Sequence, residues 1–523
     1  MTAQAAANEI LMPERSAKID LLILTGLSSG LFLYLMVIST FSSYGYFIDE
    51  FYYIACSKRL AWGYVDHPPL SVFLLALSRW LFRDSIPAVR FLPALATSAN
   101  VFVAGIIARR LGGSRRAMVI AALSTIAMPV FLLMGSFYSM NAFEPLVWSI
   151  ILYFGIRLVQ EENTKYWLLI GLLIGLGLEL KHTMVLYVAA LVLGMLVTDT
   201  RRFLWNRWFL LGVACCFLLL IPNLVWQLAH GLPSLEFYRN ALVNKNVPVG
   251  PIHVVLYQIL FANPFAFPLW FIGILYFLVL REGTKYRFFG WAFLILLAVM
   301  VIGQSSRPDR IGAMYTVLFA AGARTIDTLR RRSAWRMVGG LMVVMLICGM
   351  AVFAPVATPL LPPSTLKPYL STIGFSYNIE KGKMDEPIPQ WLADRLGWRE
   401  LASDVAGVYH SLAPEEQRHT VIVSTNYGEA GALELYGPEF GLPAVYATHN
   451  NYHLWGPPPD SMKIYICVYV DRRDLEGRFG SVVEAAVHTC DDCTRPQRSI
   501  PIYIARSPNF SMTKEWPKFK IFD

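Results

Sequence analysis

Apolar residues recur along this chain in blocks of about twenty, parted by short polar stretches rich in arginine. A helix needs about 20 such residues to cross a bilayer. The blocks run over 21–41, 90–108, 117–134, 142–159, 166–180, 183–198, 208–228, 253–280, 288–303, 311–328 and 337–356. They predict about eleven spans, the pair 166–180 and 183–198 being short and sharing a minimal turn. The pattern then changes. Residues 357–368 are rich in proline and polar groups and read as a linker. Beyond them, β-branched runs at 419–425, 463–470 and 500–504 predict strands, and 398–412 and 429–436 predict helices. The expected fold class is a polytopic α-helical membrane protein. Its membrane domain covers 1–366, including a first outer loop at 42–89, and a soluble α/β domain covers 367–523.

Composition agrees with this. Of 523 residues, 55% are hydrophobic and 15% charged, against about 25% charged in ordinary soluble domains. A cytosolic enzyme, a disordered chain and a disulfide-dense scaffold are excluded. The net charge of +9 divides unevenly. Residues 1–366 hold 29 basic and 16 acidic groups, and the remainder 16 basic and 20 acidic. With the N-terminus inside, 19 of those 29 fall on inner segments, Arg330, Arg331 and Arg332 among them. That is the positive-inside pattern. The charge therefore reports topology, with no nucleic-acid partner. A cytoplasmic N-terminus and an odd number of spans put the C-terminal domain outside, in the periplasm of an inner-membrane protein. Seven cysteines make no framework. Cys490 and Cys493 suit a local disulfide in an oxidising compartment.

Acidic residues supply the chemistry. Residues 42–89 are too long for a simple connection. They contain a helical pattern from about Asp49 to Trp62 and a second that starts at Pro68–Pro69, with Leu70, Phe73, Leu74, Leu77 and Leu81 on one stripe. At about 13 residues the second is too short to span and is expected to lie in the membrane interface. Asp49 and Glu50 open the first. Carboxylates there suit the helix dipole, but adjacent helical positions point about 100° apart. One acid is expected to face a cavity and the other to hold structure.

An Asp-Glu pair, then aromatic residues, then a Pro-Pro-Leu helix, resembles the GT-C glycosyltransferases. More narrowly, it resembles the bacterial group akin to protein O-mannosyltransferases and aminoarabinose transferases. The resemblance implies the GT-C fold, a polyprenyl-phosphate sugar donor and a lipid, polysaccharide or protein acceptor, amid bilayer lipids. It implies that Asp49, Glu50 and Glu144 are the catalytic acids. Glu144, in SFYSMNAFEPLVW, stands where the family more often has Asp. Lys181 and His182, in LELKHTMVL, match a basic outer turn suited to the donor phosphate; snorkelling of Lys181 is the alternative. Arg239, on a loop the family uses as a lid, and Arg307 and Arg310, in SSRPDR beside Asp309, are further phosphate contacts. His67 replaces a lysine that some members carry before Pro-Pro-Leu, which argues against aminoarabinose as the sugar. The expected reaction is one inverting displacement with Asp49 as general base. Whether a divalent metal takes part stays open; Asp49 and Glu144 would hold it. The rival class is a transporter or lipid flippase. Its internal repeats and midplane charges are not evident here.

Overall fold

A computed structural model of the chain describes residues 14–329, 336–377, 380–381 and 386–523; Arg330, Arg331 and Arg332 lie outside them. The chain enters as α1 (Glu14–Phe41), then forms α2 (Ile48–Ser57) and α3 (Leu70–Phe82) before turning back as α4 (Ile86–Arg110). A broken pair follows, α5 (Arg115–Ile126) and α6 (Pro129–Gly135), bent by 62°. Then come α7 (Glu144–Glu161), α8 (Tyr166–Leu180), α9 (Val185–Leu196) and α10 (Arg207–Ala229). The outer helix α11 (Pro233–Asn244) leads to α12 (Pro251–Phe261) and α13 (Phe267–Leu278), a second broken pair bent by 93°. Pro129 and Pro264 stand at the two bends, where the missing N–H and the restricted preceding residue interrupt a helix. Helices α14 (Arg287–Ile302), α15 (Tyr315–Leu329) and α16 (Arg336–Ala357) complete the bundle.

Every apolar block is helical, but the helices are of three kinds. Among the described residues, six are long and apolar enough to cross a membrane, or eight if each bent pair is one span. The other three blocks give α8, α9 and α15, of 15, 12 and 15 residues. These are held by close backbone approach through glycine, the packing that membrane helices favour. A Cβ at Gly171 of α8 would stand 2.1 Å from the Gly212 carbonyl of α10. Gly194 of α9 sits likewise on Phe288, and Gly273 and Gly322 seat α13 and α15 against each other.

The first loop differs from expectation in one respect. Helix α2 ends at Ser57, and residues 58–69 cross α10 as a loop with Gly63 seated on Trp226 and Asn223. Helix α3 runs as expected from the Pro-Pro step, and Leu77, Trp80, Leu81 and Phe82 are exposed on it, as an interfacial helix requires.

Part of the expected linker is helix α17 (Pro363–Ile373). Beyond it, α18 (Trp398–His410) and α19 (Tyr427–Tyr436) pack on a five-stranded sheet. Strands β1 (Thr420–Ser424), β2 (Val445–Ala447), β3 (Ile464–Val468), β4 (Phe479–Thr489) and β5 (Ser499–Pro508) take the order β2-β1-β3-β5-β4. The first three are parallel, β1 to β2 and β1 to β3; β5 is antiparallel to β3 and to β4. Strands β1 and β3 are wholly buried, which explains their unbroken apolar runs. Cys490 and Cys493 form a disulfide.

Helix α19 lies directly on α2. Gly431 faces Phe51 and Gly428 faces Ile48, so closely that a Cβ at either would be within 3 Å of its neighbour. The C-terminal part is thereby fixed to the loop that carries the two acids.

Candidate active site

Glu50 sits at the third position of α2 and closes its N-terminus: its Oε2 accepts from Phe47 N at 2.7 Å. The same carboxylate takes a two-armed bond from Arg90 on α4, 2.9 Å from Nε and 2.8 Å from Nη2. Oε1 also accepts from Tyr138 N at 2.8 Å. Both partners of the ion pair are fully buried. Arg90 adds a bond to the Gly45 carbonyl at 2.8 Å, and the backbone of Gly45 and Ile48 bonds to Arg395 and Asp394. Glu50 thus ties together the loop, α4 and the C-terminal part. Glu50, expected among the catalytic acids, is not among the residues lining the cavity described next, and its oxygens are spent on four donors, as expected of the acid that holds structure.

Asp49 points the other way, as the 100° offset requires. It lines a cavity of about 290 Å³ enclosed by α2, the loop before α7, α11, the 3-10 turn Pro308–Met314 and the residues Tyr377, Glu380, Gln390, Trp391 and Asp394. Its Oδ1 accepts from the Tyr427 hydroxyl at 2.8 Å. Burial raises its pKa to about 6, against the lowering effect of the Tyr427 hydrogen bond; Glu380 and Asp66 add to the rise and Lys245 opposes it.

Four cations line the same cavity: Lys181, Lys245, Arg307 and Arg310. Arg307 Nε bonds to Asp309 Oδ1 at 3.2 Å, and its Nη1 lies 3.8 Å from Glu380 Oε1. Asp309 is held below the usual carboxylate range, because Arg307, Lys181 and Arg310 together outweigh its burial. All three cations bear on Asp309, while Arg307 also lies near Glu380 and Lys181 is paired with Glu144. Lys181 is 6% exposed, and its Nζ is 2.6 Å from Glu144 Oε2.

That last contact places Glu144, expected among the catalytic acids, against Lys181. It is buried behind Lys181 and does not line the cavity. It orients the lysine and is not disposed to share a divalent ion with Asp49. Among the described residues no three His, Cys, Asp or Glu come together as a metal site. Three other predicted residues also stand apart. His67 is fully buried, stacked on Tyr53 at 4.6 Å between ring centres, with Nδ1 3.2 Å from the Pro68 carbonyl. It packs the loop and does not reach the cavity. His182 bonds through Nε2 to Asn223 Oδ1 at 3.1 Å, behind Tyr238. Arg239 is exposed on α11; its neighbours Phe237 and Tyr238 face the cavity instead.

Several cavity residues were not foreseen. Asp66 lines the wall, and its Oδ1 is 2.9 Å from the Tyr52 hydroxyl, which also lies 3.0 Å from Asn451 Oδ1. Lys245, at the end of α11, stands 5.9 Å from the Tyr427 ring centre. Tyr427 comes from the stretch TNYGEAG and Asn451 from NNYHLWGPPP. Neither stretch carries a motif; only tertiary contact brings them to α2.

The sequence and the fold have known counterparts. Residues 66–226 match the dolichyl-phosphate-mannose-protein mannosyltransferase family model, PMT_2. A lipid A galacturonosyltransferase of Rhizobium johnstonii, RgtD, is 27% identical over 204 residues, which are 38% of this chain and 42% of that protein. The match thus spans under half the length of that relative. The crystal structure of ArnT from Cupriavidus metallidurans bound to undecaprenyl phosphate superposes with a TM-score of 0.57, covering 92% of this chain and 97% of that one at 14% identity. Its apo form gives 0.58, covering 93% and 98%. The chain has the GT-C fold of the ArnT type. In a GT-C protein of this type the helices long enough to cross a membrane are spans, and this is a multi-pass membrane protein.

Proposed function

We propose that this GT-C protein is an integral-membrane glycosyltransferase. It moves a sugar from a polyprenyl-phosphate carrier to a hydroxyl of a lipid acceptor at the extracytoplasmic face. The observation that carries this reading is the make-up of one cavity: the carboxylate of Asp49, held by the Tyr427 hydroxyl, facing Lys181, Arg307 and Arg310. Undecaprenyl phosphate in the ArnT crystal structure supports a lipid-phosphate carrier, and the name of the Rhizobium relative supports a lipid acceptor. The arginines at inner loops support the orientation.

The chemistry follows from the residues. Asp49 takes the proton of the acceptor hydroxyl as that oxygen attacks the anomeric carbon. The bond from that carbon to the phosphate oxygen breaks, and its electron pair leaves with the phosphate. Lys181, Arg307 and Arg310 meet the growing negative charge, the preorganised stabilisation on which such transfers depend. A single displacement inverts the anomeric centre. Phosphate leaves without a strong acid, so one protein base suffices. Glu144 holds Lys181 in place, and Tyr427 holds Asp49.

The test is incubation of the purified protein in lipid with a panel of polyprenyl-phosphate sugars and membrane lipid extracts, followed by mass spectrometry. One donor is expected to lose its sugar to a lipid with inverted configuration. Flipping or transport of these donors with none consumed would favour the transporter class instead.

A further inference from the structure

The C-terminal sheet carries a second cavity, of about 330 Å³, on the face turned away from α18 and α19. It has no part in the reaction above. Its volume is at the lower end of small-molecule pockets, roughly 300–1,000 Å³. Val423 and Cys467 of β1 and β3 form its floor with Leu475 and Met512. Phe479, Trp516 and Phe519 form its walls.

Thr425 directly follows β1 and Thr448 directly follows β2. Both line the cavity, which runs along the sheet face from the carboxyl ends of β1 and β2 to the amino end of β3, where Phe479 and Arg478 stand. The Thr448 side chain is 5% exposed and its hydroxyl has no hydrogen-bond partner. A buried hydroxyl left unpaired is costly.

Chemistry narrows the ligand. A sugar would bring several hydroxyls to a site offering few polar groups, since the Thr425 hydroxyl is already given to the Tyr469 carbonyl. The floor suits an apolar body. At the rim, Arg478 lies 4.7 Å over the Phe519 ring and forms no ion pair among the described residues, although Asp474 also lines the cavity. The two rim lysines are paired, Lys518 with Glu515 and Lys520 with Glu236 of α11. Arg478 is thus the cation available to an incoming anion.

We propose that this cavity binds a small anionic amphiphile. Its acyl body lies along Val423, Cys467, Leu475 and Met512, and its carboxylate or phosphate head meets Arg478. The test uses the full chain in lipid nanodiscs and a dodecanoate probe bearing a diazirine. Photo-adducts are expected on peptides from the region 465–521. Dodecanoate and dodecyl phosphate should both compete, the stronger one identifying the head group, and dodecanol should not. Arg478→Gln should cut labelling by about fivefold or more, in keeping with loss of a charge-assisted hydrogen bond. Thr448→Val, nearly isosteric and away from the head group, should leave labelling nearly unchanged and should not lower the thermal midpoint. Adducts confined to the membrane helices would overturn the proposal. So would labelling of the region that dodecanol blocks as well as dodecanoate does, or that Arg478→Gln leaves unchanged.

Discussion

At Asp49, burial lifts the carboxyl to about 6 while the Tyr427 hydroxyl and Lys245 favour its charged form. A base must be ionised to accept a proton, so kcat/KM should fall as pH drops below about 6. Tyr427→Phe removes a bond to the ionised form and should move that acid limb to higher pH. A pH–rate profile of the two proteins checks this; identical limbs would separate Tyr427 from the base. Glu50, one residue on, has its oxygens committed to Arg90, Phe47 and Tyr138. Glu50→Gln should lower stability by about 3 kcal/mol, the scale of a broken buried pair, while the acid limb stays in place. Thermal unfolding beside the same profile tests it. That the two acids face apart was legible from helix geometry alone. Their partners were not: Arg90 lies 40 residues away and Tyr427 378 residues from Asp49. A sequence has no local mark for contacts that distant.

Helices carry the next level of control. Lys181 stands at the end of α8, whose depth is fixed by the contact of Gly171 on α10, and it is aimed by Glu144 at the start of α7. Lys181→Met should raise the donor KM about 10- to 100-fold, from the 1.5–3 kcal/mol of a hydrogen bond to a charged group. The acid limb set by Asp49 should not move. Steady-state kinetics with varied donor checks both. Helix α19 is the second such element. Gly431→Val would collide with Phe51, whose Cβ is already 2.8 Å from the position of a Cβ there. It should loosen Tyr427 and reproduce the pH shift of Tyr427→Phe with a lower rate. Hydrophobic blocks revealed where helices are and that 166–180 and 183–198 are short, but not that α15 is short or that glycine contacts seat all three. The same limit holds in the sheet. Strands β1 and β3 are legible as buried apolar runs, whereas β4 is largely exposed and β2 has only three residues, so neither leaves a hydrophobic signature.

Across the whole molecule, the surplus of arginine and lysine in residues 1–366 supports the orientation that puts the Asp49 cavity at the outer face. The first loop is recognisable from its residues alone because its motif is local. The contribution of the C-terminal part is not, and it supplies Tyr427, Trp391, Asp394 and Glu380 to the cavity. The cavity is thus enclosed between the membrane bundle and the sheet-bearing part, with Asp49 at their junction. The measurement that tests this most directly is single-turnover release of polyprenyl phosphate from its sugar-bearing form, by wild-type protein and by Asp49→Asn of equal thermal stability. The account predicts release coupled to acceptor glycosylation in the wild type and a loss of at least about 100-fold in the variant, the lower range for a general base. Turnover by Asp49→Asn at near the wild-type rate would contradict it.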